Sequence, residues 1–250
     1  HNAQSLCAPV SVLRQLDLDV PRPGALVDIM SVGESVGHST RDQILRAWSI
    51  RIREGFGQTE ATAIMGELRC TPEAFTVLPG YDIRLDQDPA WPADRLAFRS
   101  FDSGSFLGYM KAGVLERLSI PEDGWQWTGD YASGDAASGT LRLLGRGDDV
   151  FRSNGHLVSP TDVEAVMEGH PSITSAAVIA VDHPHKGKVP HVFATLAEKG
   201  EPRSAALLDW LNNRLPPEVD AASVHVVDGL PRSINGKIQR NVLADHFHQM

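Results

Sequence analysis

A polar trio, Gln58-Thr59-Glu60, follows two glycines within residues 55–60. A threonine hydroxyl can bond a phosphate oxygen and a glutamate carboxylate can hold a magnesium ion, which is the pairing that nucleotide chemistry requires. The alternating Ile and Arg of residues 49–54 predict a strand directly before it, and open α/β sheets bind ligands past the carboxyl ends of strands. An ordinary turn with Thr59 as a helix cap explains the same hexapeptide equally well.

Two further side chains could act on a nucleotide. Asp130 ends a Thr-Gly-Asp turn, and its carboxylate could accept hydrogen bonds from both hydroxyls of a ribose. Lys237 follows an Asn-Gly turn at the start of a predicted last helix. A long cation there could reach across a cleft and neutralise a carboxylate and a phosphate that are being joined. The commoner alternatives are an Asp that stabilises its own turn and a solvated lysine.

Residues 145–155 read GRGDDVFRSNG, which combines three glycines and an asparagine with two arginines and two aspartates. Glycine and asparagine permit backbone angles that other residues avoid. A plain linker needs flexibility but not this amount of fixed charge. The segment therefore predicts a joint, with residues before about 147 forming one wall of an active site and residues 148–250 forming a mobile lid.

The apolar pattern predicts the elements that would position these groups. A helix, a buried strand, a second helix and a second strand indicate an α/β layer over about residues 1–75. We place these four elements at residues 9–18, 25–32, 40–47 and 49–54. Helical periodicity then largely disappears, and short strands predict a small β subdomain over about residues 76–147. These strands are expected at residues 81–85, 96–101 and 140–144.

The lid has its own pattern of elements. Ser159, Pro160 and Asp162 form the start of a helix, with serine as the N-cap, proline in the first turn and an acid three residues on. The other predicted lid elements are strands at 176–181, 191–196 and 223–227, a helix at 205–215 and the last helix. The predicted fold class is thus α/β and α+β: the end of a large α/β domain with a small β subdomain, then a compact mobile C-terminal α+β domain.

Composition excludes several classes of function. A net charge of -9 argues against a nucleic-acid partner, and no apolar run is long enough to span a membrane. The two cysteines, Cys7 and Cys70, lack a disulfide pattern and are expected to be reduced, buried thiols of a cytoplasmic protein. Neither a Cys/His metal cluster nor a Gly-x-Ser-x-Gly motif is present, which argues against a zinc site and a serine hydrolase.

In order along the chain, Gly33-Glu34-Ser35, residues 55–60, 128–130, 145–149 and 153–155, and Gly236-Lys237 resemble the motifs of the adenylate-forming superfamily. This superfamily contains acyl-CoA synthetases, luciferases and nonribosomal adenylation domains. The resemblance covers nearly the whole chain and is closest to the acyl-CoA synthetases. It implies that a carboxylic acid attacks ATP to give an acyl-adenylate and pyrophosphate, and that the thiol of coenzyme A then displaces AMP.

The resemblance also implies a role for each motif. Lys237 would orient the carboxylate and stabilise charge, Thr59 would contact phosphate and Glu60 would hold magnesium. Asp148 would be the hinge between the two parts. The implied nucleotide-binding residues are Gly33, Glu34, Ser35, Gly55, Phe56, Gly57, Gln58, Thr59, Asp130 and Arg146, of which the first three would line the adenine and the last two would hold the ribose. The implied residues of the coenzyme A tunnel are Ser153, Asn154 and Gly155.

Two departures from the superfamily pattern bear on function. Its glycine-rich Ser/Thr phosphate loop, which lies upstream, does not occur in these 250 residues. The resemblance thus implies a carboxyl-terminal half that needs a missing N-terminal half of the same enzyme, and the chain start at His1 is expected to be processed or cut. Leu157 stands where the family usually has an arginine that contacts phosphate during thioester formation, and Arg152 could substitute for it.

Three functions stay open. The first is an ATP-dependent acyl-CoA ligase acting on a small carboxylic acid. The second is an acyl-AMP ligase that loads a carrier-protein thiol, which Leu157 favours. The third is a non-catalytic module that lost the phosphate loop.

Overall fold

The computed structural model describes residues 2–68, 71–89, 93–101, 106–117, 120–135, 140–197, 202–233 and 236–247. Cys70 and Asn235, which the sequence analysis used, lie outside these ranges. The described helices are α1 (Val10–Leu13), α2 (His38–Trp48), α3 (Pro160–Glu168), α4 (Ser204–Asn212) and α5 (Arg240–Phe247). The described strands are β1 (Ser5–Cys7), β2 (Asp28–Val32), β3 (Ile52–Gln58), β4 (Thr62–Leu68), β5 (Thr71–Val77), β6 (Tyr81–Gln87), β7 (Asp94–Ser100), β8 (Gly108–Lys111), β9 (Val114–Arg117), β10 (Gln126–Asp135), β11 (Thr140–Arg146), β12 (Phe151–Ser153), β13 (His156–Val158), β14 (Ile173–His183), β15 (Gly187–Leu196) and β16 (Ser223–Val226).

A mixed sheet occupies the first part of the chain. Among the described residues it has nine strands in the order β1-β2-β3-β4-β5-β11-β10-β7-β6. The pairs β1–β2 and β2–β3 are parallel, and the others are antiparallel. Strand β5 pairs with β11, so the α/β layer and the β subdomain that the sequence predicts are hydrogen-bonded into one sheet.

Two apolar clusters pack against this sheet. Helix α2 buries Ile44 and Trp48 against Ile29 and Ile52 of the parallel strands. A second cluster, between antiparallel strands, contains Ile64, Met65, Phe75, Leu96 and Phe98. Their burial is the main stabilising contribution to each part of the sheet.

The second sheet belongs to the residues after β11. Its described strands run in the order β13-β12-β15-β14, with β16 parallel to β15. Helix α3 begins as predicted, because the Ser159 side chain accepts a hydrogen bond from the Asp162 amide. Helices α3 and α4 bury Met167, Leu207 and Leu211 on this sheet. The mixed fold class is confirmed, while the boundary at residue 147, which falls between the two sheets, stays a prediction.

Three local predictions are wrong in the first part of the chain. The helix expected over residues 9–18 is only the single turn of α1, and successive turns follow it. Leu16 and Leu18 still pack on the α2 core from those turns, so their apolar spacing does not require a helix. Cys7 is exposed rather than buried, because β1 is the edge strand of the large sheet.

The third error concerns residues 55–58, which we expected to lie beyond the end of a strand. Strand β3 instead continues through Gln58, and only Thr59 and Glu60 lie in the turn to β4. Gly57 permits this hairpin, because a Cβ there would lie 1.7 Å from the carbonyl oxygen of Thr62. The close approach of the two strands thus explains a glycine that the sequence placed in a loop.

Among the described residues, no helix combines the length and the apolar character that crossing a membrane requires.

Candidate active site

A cleft of ≈ 950 Å³ lies between the large sheet and the elements after β11. Every residue predicted for catalysis and nucleotide binding lines this cleft, whereas Asp148, Ser153, Asn154 and Gly155 do not. The predicted residues in the lining are Gly33, Glu34, Ser35, Gly55, Phe56, Gly57, Gln58, Thr59, Glu60, Asp130, Arg146 and Lys237. Segments about 200 positions apart in sequence therefore meet at one place.

The wall predicted to contact adenine is the turn between β2 and α2. It is held from β3 by Glu54, whose carboxylate accepts a 2.6 Å hydrogen bond from the Val36 amide. The Ser35 hydroxyl approaches the same oxygen at 3.4 Å, and Arg41 pairs with it at 2.5 Å. Burial raises the pKa of Glu54, and Arg41 opposes that shift. The turn is thus fixed by a buried ion pair before any ligand binds.

Thr59 and Glu60 occupy the β3–β4 turn at another side of the cleft. The Tyr109 hydroxyl donates a hydrogen bond to one oxygen of Glu60. Magnesium is commonly held by one or two carboxylates together with substrate phosphates and waters, and Glu60 offers one such carboxylate. In the part of the chain that the structure describes, no three His, Cys, Asp or Glu side chains group as metal ligands.

Asp130 and Arg146 face each other across β10 and β11 as a cross-strand pair. Residues 128–130 form an irregularity in the pairing of β10 with β7, and Gly129 has a φ of 81° there. The Arg146 guanidinium lies over Gly129, since a Cβ at that position would be 3.4 Å from its Nη2 atom. Directly opposed residues share one face of a sheet, so carboxylate and guanidinium are presented together to the cleft.

Lys237 lies in a loop closed by a 2.8 Å hydrogen bond from the Ser233 amide to the Lys237 carbonyl. Our prediction that Lys237 starts the last helix is wrong, because α5 begins at Arg240. The Lys237 side chain is exposed to the cleft and is close enough to Glu34 and Asp130 for their charges to interact. The cation therefore lies between the proposed adenine wall and the proposed ribose pair.

Burial raises the pKa of the Asp130 carboxyl, and the charges of Arg146 and Lys237 partly oppose this effect. The same cause, opposed by Arg232 and Arg14, raises the pKa of Glu34. Both carboxyl groups therefore bind protons more tightly in the folded chain than in the unfolded chain.

Replacing Asp130 with asparagine should stabilise the fold at pH 7, by about 1 kcal/mol. Because the folded-state pKa is raised, ionisation of Asp130 makes stability fall as pH rises from the unfolded-state pKa through the folded one. The gain in unfolding free energy should therefore shrink as pH falls to about 4, close to the ordinary pKa of an aspartate. Urea unfolding at pH 7 and at pH 4 measures the change in unfolding free energy. Replacement of the exposed Asp245 with asparagine is the matched control. An Asp130→Asn variant that is less stable at pH 7 would contradict the expectation.

The predicted hinge lies next to the ribose pair. Asp148 occupies a turn in which the amides of Asp149 and Val150 both donate to the Arg146 carbonyl at 3.0 Å. The Asp149 carboxylate also lies 3.5 Å from the Arg240 guanidinium at the start of α5. The turn thus connects a cleft residue on one side with the last helix on the other.

Ser153, Asn154 and Gly155 lie at the β12–β13 hairpin, away from the cleft lining. Asn154 and Gly155 have φ values of 49° and 83°, which is the left-handed pair that a two-residue hairpin turn prefers. Within the described residues, the fully buried Ser153 hydroxyl has no hydrogen-bond partner. The structure does not bring these residues together with Lys237.

Sequence reasoning missed several charged residues in the cleft lining: Arg14, Arg41, Arg142, Asp149, Asp162, Glu164, Glu168, Arg232 and Arg240. Glu164 pairs with Arg240 at 2.6 Å and accepts a 2.8 Å hydrogen bond from the Val178 amide. The i, i+4 spacing of Glu164 and Glu168 places both on one face of α3. Spacing alone cannot distinguish this buried face from a solvated one, because burial depends on partners far away in sequence.

The fold defines a class of mixed α/β proteins in which a polar cleft lies between a large sheet and a second α+β unit. Comparisons with known proteins identify the family. Residues 162–237 match the model of the AMP-binding enzyme C-terminal domain. The 4-hydroxybutyrate–CoA ligase 1 of Metallosphaera sedula is 30% identical over 259 residues, which cover 94% of this chain and 44% of that protein. The chain belongs to the adenylate-forming superfamily and corresponds to the carboxyl-terminal portion of its relatives.

Solved structures share this fold. ATP-bound MatB from Rhodopseudomonas palustris aligns with a TM-score of 0.82 at 23% identity, covering 98% of this chain and 51% of that one. The anthranilate CoA ligase AuaEII in complex with anthranoyl-AMP aligns with a TM-score of 0.79 at 22% identity, covering 97% and 49%. The chain thus spans about half the length of the relatives it matches, which is the resemblance that its motifs predicted.

Proposed function

We propose that the chain is the carboxyl-terminal part of an ATP-dependent acyl-CoA ligase. The enzyme would activate a small carboxylic acid as an acyl-adenylate and then form a thioester with coenzyme A. The observation that supports the proposal is the meeting of Lys237, Thr59, Glu60, Asp130 and Arg146 in one cleft. These groups supply a long cation, a hydroxyl suited to a phosphate and carboxylates suited to a metal and to a ribose.

In the first step, Lys237 would stabilise the negative charge that develops between the acid carboxylate and the α-phosphate of ATP. Asp130 would accept hydrogen bonds from the ribose hydroxyls, with Arg146 beside it as a second ribose contact. The Thr59 hydroxyl would bind a phosphate oxygen. Glu60 would hold magnesium, which when bound would neutralise phosphate charge. The turn 33–35 would line the adenine and place the α-phosphate near Lys237.

The second step requires the groups that lie outside the cleft. We infer that rotation about Asp148 would withdraw Lys237 and bring Gly155 to the site, where the missing side chain would leave room for the pantetheine arm of coenzyme A. Ser153 and Asn154 flank that position in the hairpin. In the arrangement described above, Lys237 faces the cleft, which suits the first step.

Carboxylate-dependent exchange of pyrophosphate into ATP tests the proposal. The chain is expressed together with its upstream half, and a panel of small carboxylic acids is supplied with labelled pyrophosphate. We expect exchange that depends on both the acid and magnesium. Exchange at the background level with every acid, in a folded protein that contains the upstream phosphate loop, would contradict the proposal.

Transfer to a carrier-protein thiol is a second candidate function, because Leu157 stands where an arginine is usual. In the structure Leu157 packs on an apolar cluster of Ala93, Tyr131 and Val150 rather than reaching for a phosphate. Product analysis with coenzyme A and with a phosphopantetheinylated carrier separates the two acceptors. Efficient formation of the acyl-CoA would exclude the hypothesis that the acyl group is transferred to a carrier protein.

A non-catalytic module is the third candidate function, and the sequence of the upstream reading frame tests it. An upstream region that lacks the glycine-rich Ser/Thr loop would favour the non-catalytic module. The cytoplasmic location stays a prediction.

A further inference from the structure

Helix α3 reaches across the cleft to the start of α2 through Glu168. Glu168 as a residue is 9% exposed, and its Oε1 atom accepts a 3.0 Å hydrogen bond from the Ala176 amide. The Oε2 atom lies against Gly37, since a Cβ on Gly37 would be only 1.8 Å away from it. Glu168 therefore contacts a residue, Gly37, that precedes it by more than 130 positions in the chain.

The contact with Glu168 requires a glycine at position 37 because it leaves no room for a side chain. The backbone conformation at this position does not require a glycine. Its φ of -58° and ψ of 150° are angles that any residue adopts. The space around it is different, because the Glu168 carboxylate fills the Cβ position. Gly37 is also the N-cap of α2 and makes no side-chain cap. A carboxylate beside a helix N-terminus is electrostatically favourable, so Glu168 adds charge stabilisation where the cap is lacking.

Other charges face each other beside this contact. Arg232 of the predicted lid pairs with Glu34 of the adenine wall at 3.3 Å and donates a 2.7 Å hydrogen bond to the Gly236 carbonyl. Arg14, before β2, attracts Glu168 and Glu34 and is repelled by Arg232. Two lid side chains thus reach the segment 34–37, and one of them also holds the residue next to Lys237.

We propose that Glu168 and Gly37 form a docking contact that positions the lid with Lys237 in the cleft. Glu168 would be a positioning residue for adenylation, and Gly37 the surface that receives it. The inference rests on the proposed function for its role in catalysis, but the docking itself is independent of it. A methyl group at position 37 would displace the Glu168 carboxylate from this position, so the contact between α3 and the start of α2 would be lost.

Variants of the enzyme that includes the upstream half provide the test. We expect Gly37→Ala to lower pyrophosphate exchange about tenfold, while thioester formation from a chemically prepared acyl-adenylate changes less than about twofold. Gly24→Ala is the matched control, since nothing lies within 4 Å of a Cβ there. The Gly37→Ala/Glu168→Ala double variant should catalyse pyrophosphate exchange at the same rate as the Glu168→Ala single variant, because the clash disappears with the carboxylate. Glu168→Gln keeps the size of the side chain and should not rescue Gly37→Ala.

Hydrogen exchange gives a readout that needs no activity. In Gly37→Ala, the amides of residues 37–41 and 236–239 should exchange faster than in the parent. In the Gly37→Ala/Glu168→Ala double variant, the same amides should exchange at the rates of the Glu168→Ala single variant. This result supports docking even if no acid supports pyrophosphate exchange, so the two proposals fail separately. Additive losses in the double variant, or equal losses in both half-reactions, would overturn the docking contact. Glu168→Asp, which shortens the side chain, replaces Glu168→Ala if the latter does not fold.

Discussion

Replacing Lys237 with alanine should lower carboxylate-dependent pyrophosphate exchange by about 10²–10³-fold, the loss expected when one preorganised charge at a reacting centre is removed. Lys237 lines the cleft, where its charge interacts with those of Glu34 and Asp130. Thioester formation from a prepared acyl-adenylate should change little, because the proposed second step withdraws Lys237 from the site. Measuring both half-reactions on one preparation separates these effects.

Two variants serve as controls for Lys237→Ala. Lys188→Ala removes an exposed lysine of the same lid that is not part of the cleft lining, and it should leave both half-reactions unchanged. Lys237→Arg keeps the charge but changes the reach and shape of the donor, so partial activity is expected. Abundant exchange retained by Lys237→Ala would refute its assigned role.

Replacing Asp148 with proline should reduce the thioester half-reaction about 100-fold and adenylation less than about fivefold. Proline fixes φ and so limits the rotation that the hinge proposal requires. With the turn in the conformation described above, Lys237 lines the cleft, and the amides of Asp149 and Val150 donate the backbone hydrogen bonds of the turn. In the part of the chain that the structure describes, the Asp148 amide donates no hydrogen bond that proline would remove.

Asp148→Ala distinguishes the backbone from the carboxylate. Alanine removes the charge but leaves φ free, so it should preserve both half-reactions far better than proline does. Equal losses of both half-reactions in Asp148→Pro would mean that the segment is only a tether.

The positions of the cleft residues were predictable because each belongs to a short motif with its own local cause. Gly129 permits the irregularity that presents Asp130 to the cleft, and outside the cleft the Asn154-Gly155 pair specifies a tight hairpin. The order of these motifs then indicated the family, and the family implied that they meet. Locally encoded features of this kind do not depend on the rest of the chain, so a single sequence is enough to find them.

The features that sequence reasoning missed depend on distant partners. Nothing in α3 marks Glu168 as a contact of Gly37, because both residue types are common on helix surfaces and at helix starts. The length of β3 was misjudged because its glycines resemble a loop, whereas the approach of Thr62 requires one of them. In both cases tertiary packing overrides the local pattern.

Under the proposed function, the large sheet would be the constant part of the site and the lid the exchangeable part. Thr59, Asp130 and Arg146 lie on or beside strands of one sheet, in which β3, β4, β5, β11 and β10 are successive hydrogen-bonded neighbours. The sheet therefore sets the distances among these three residues. Under the proposed function, a nucleotide held by them would keep its place during both steps, and only the side chain offered to the reacting carbonyl would change.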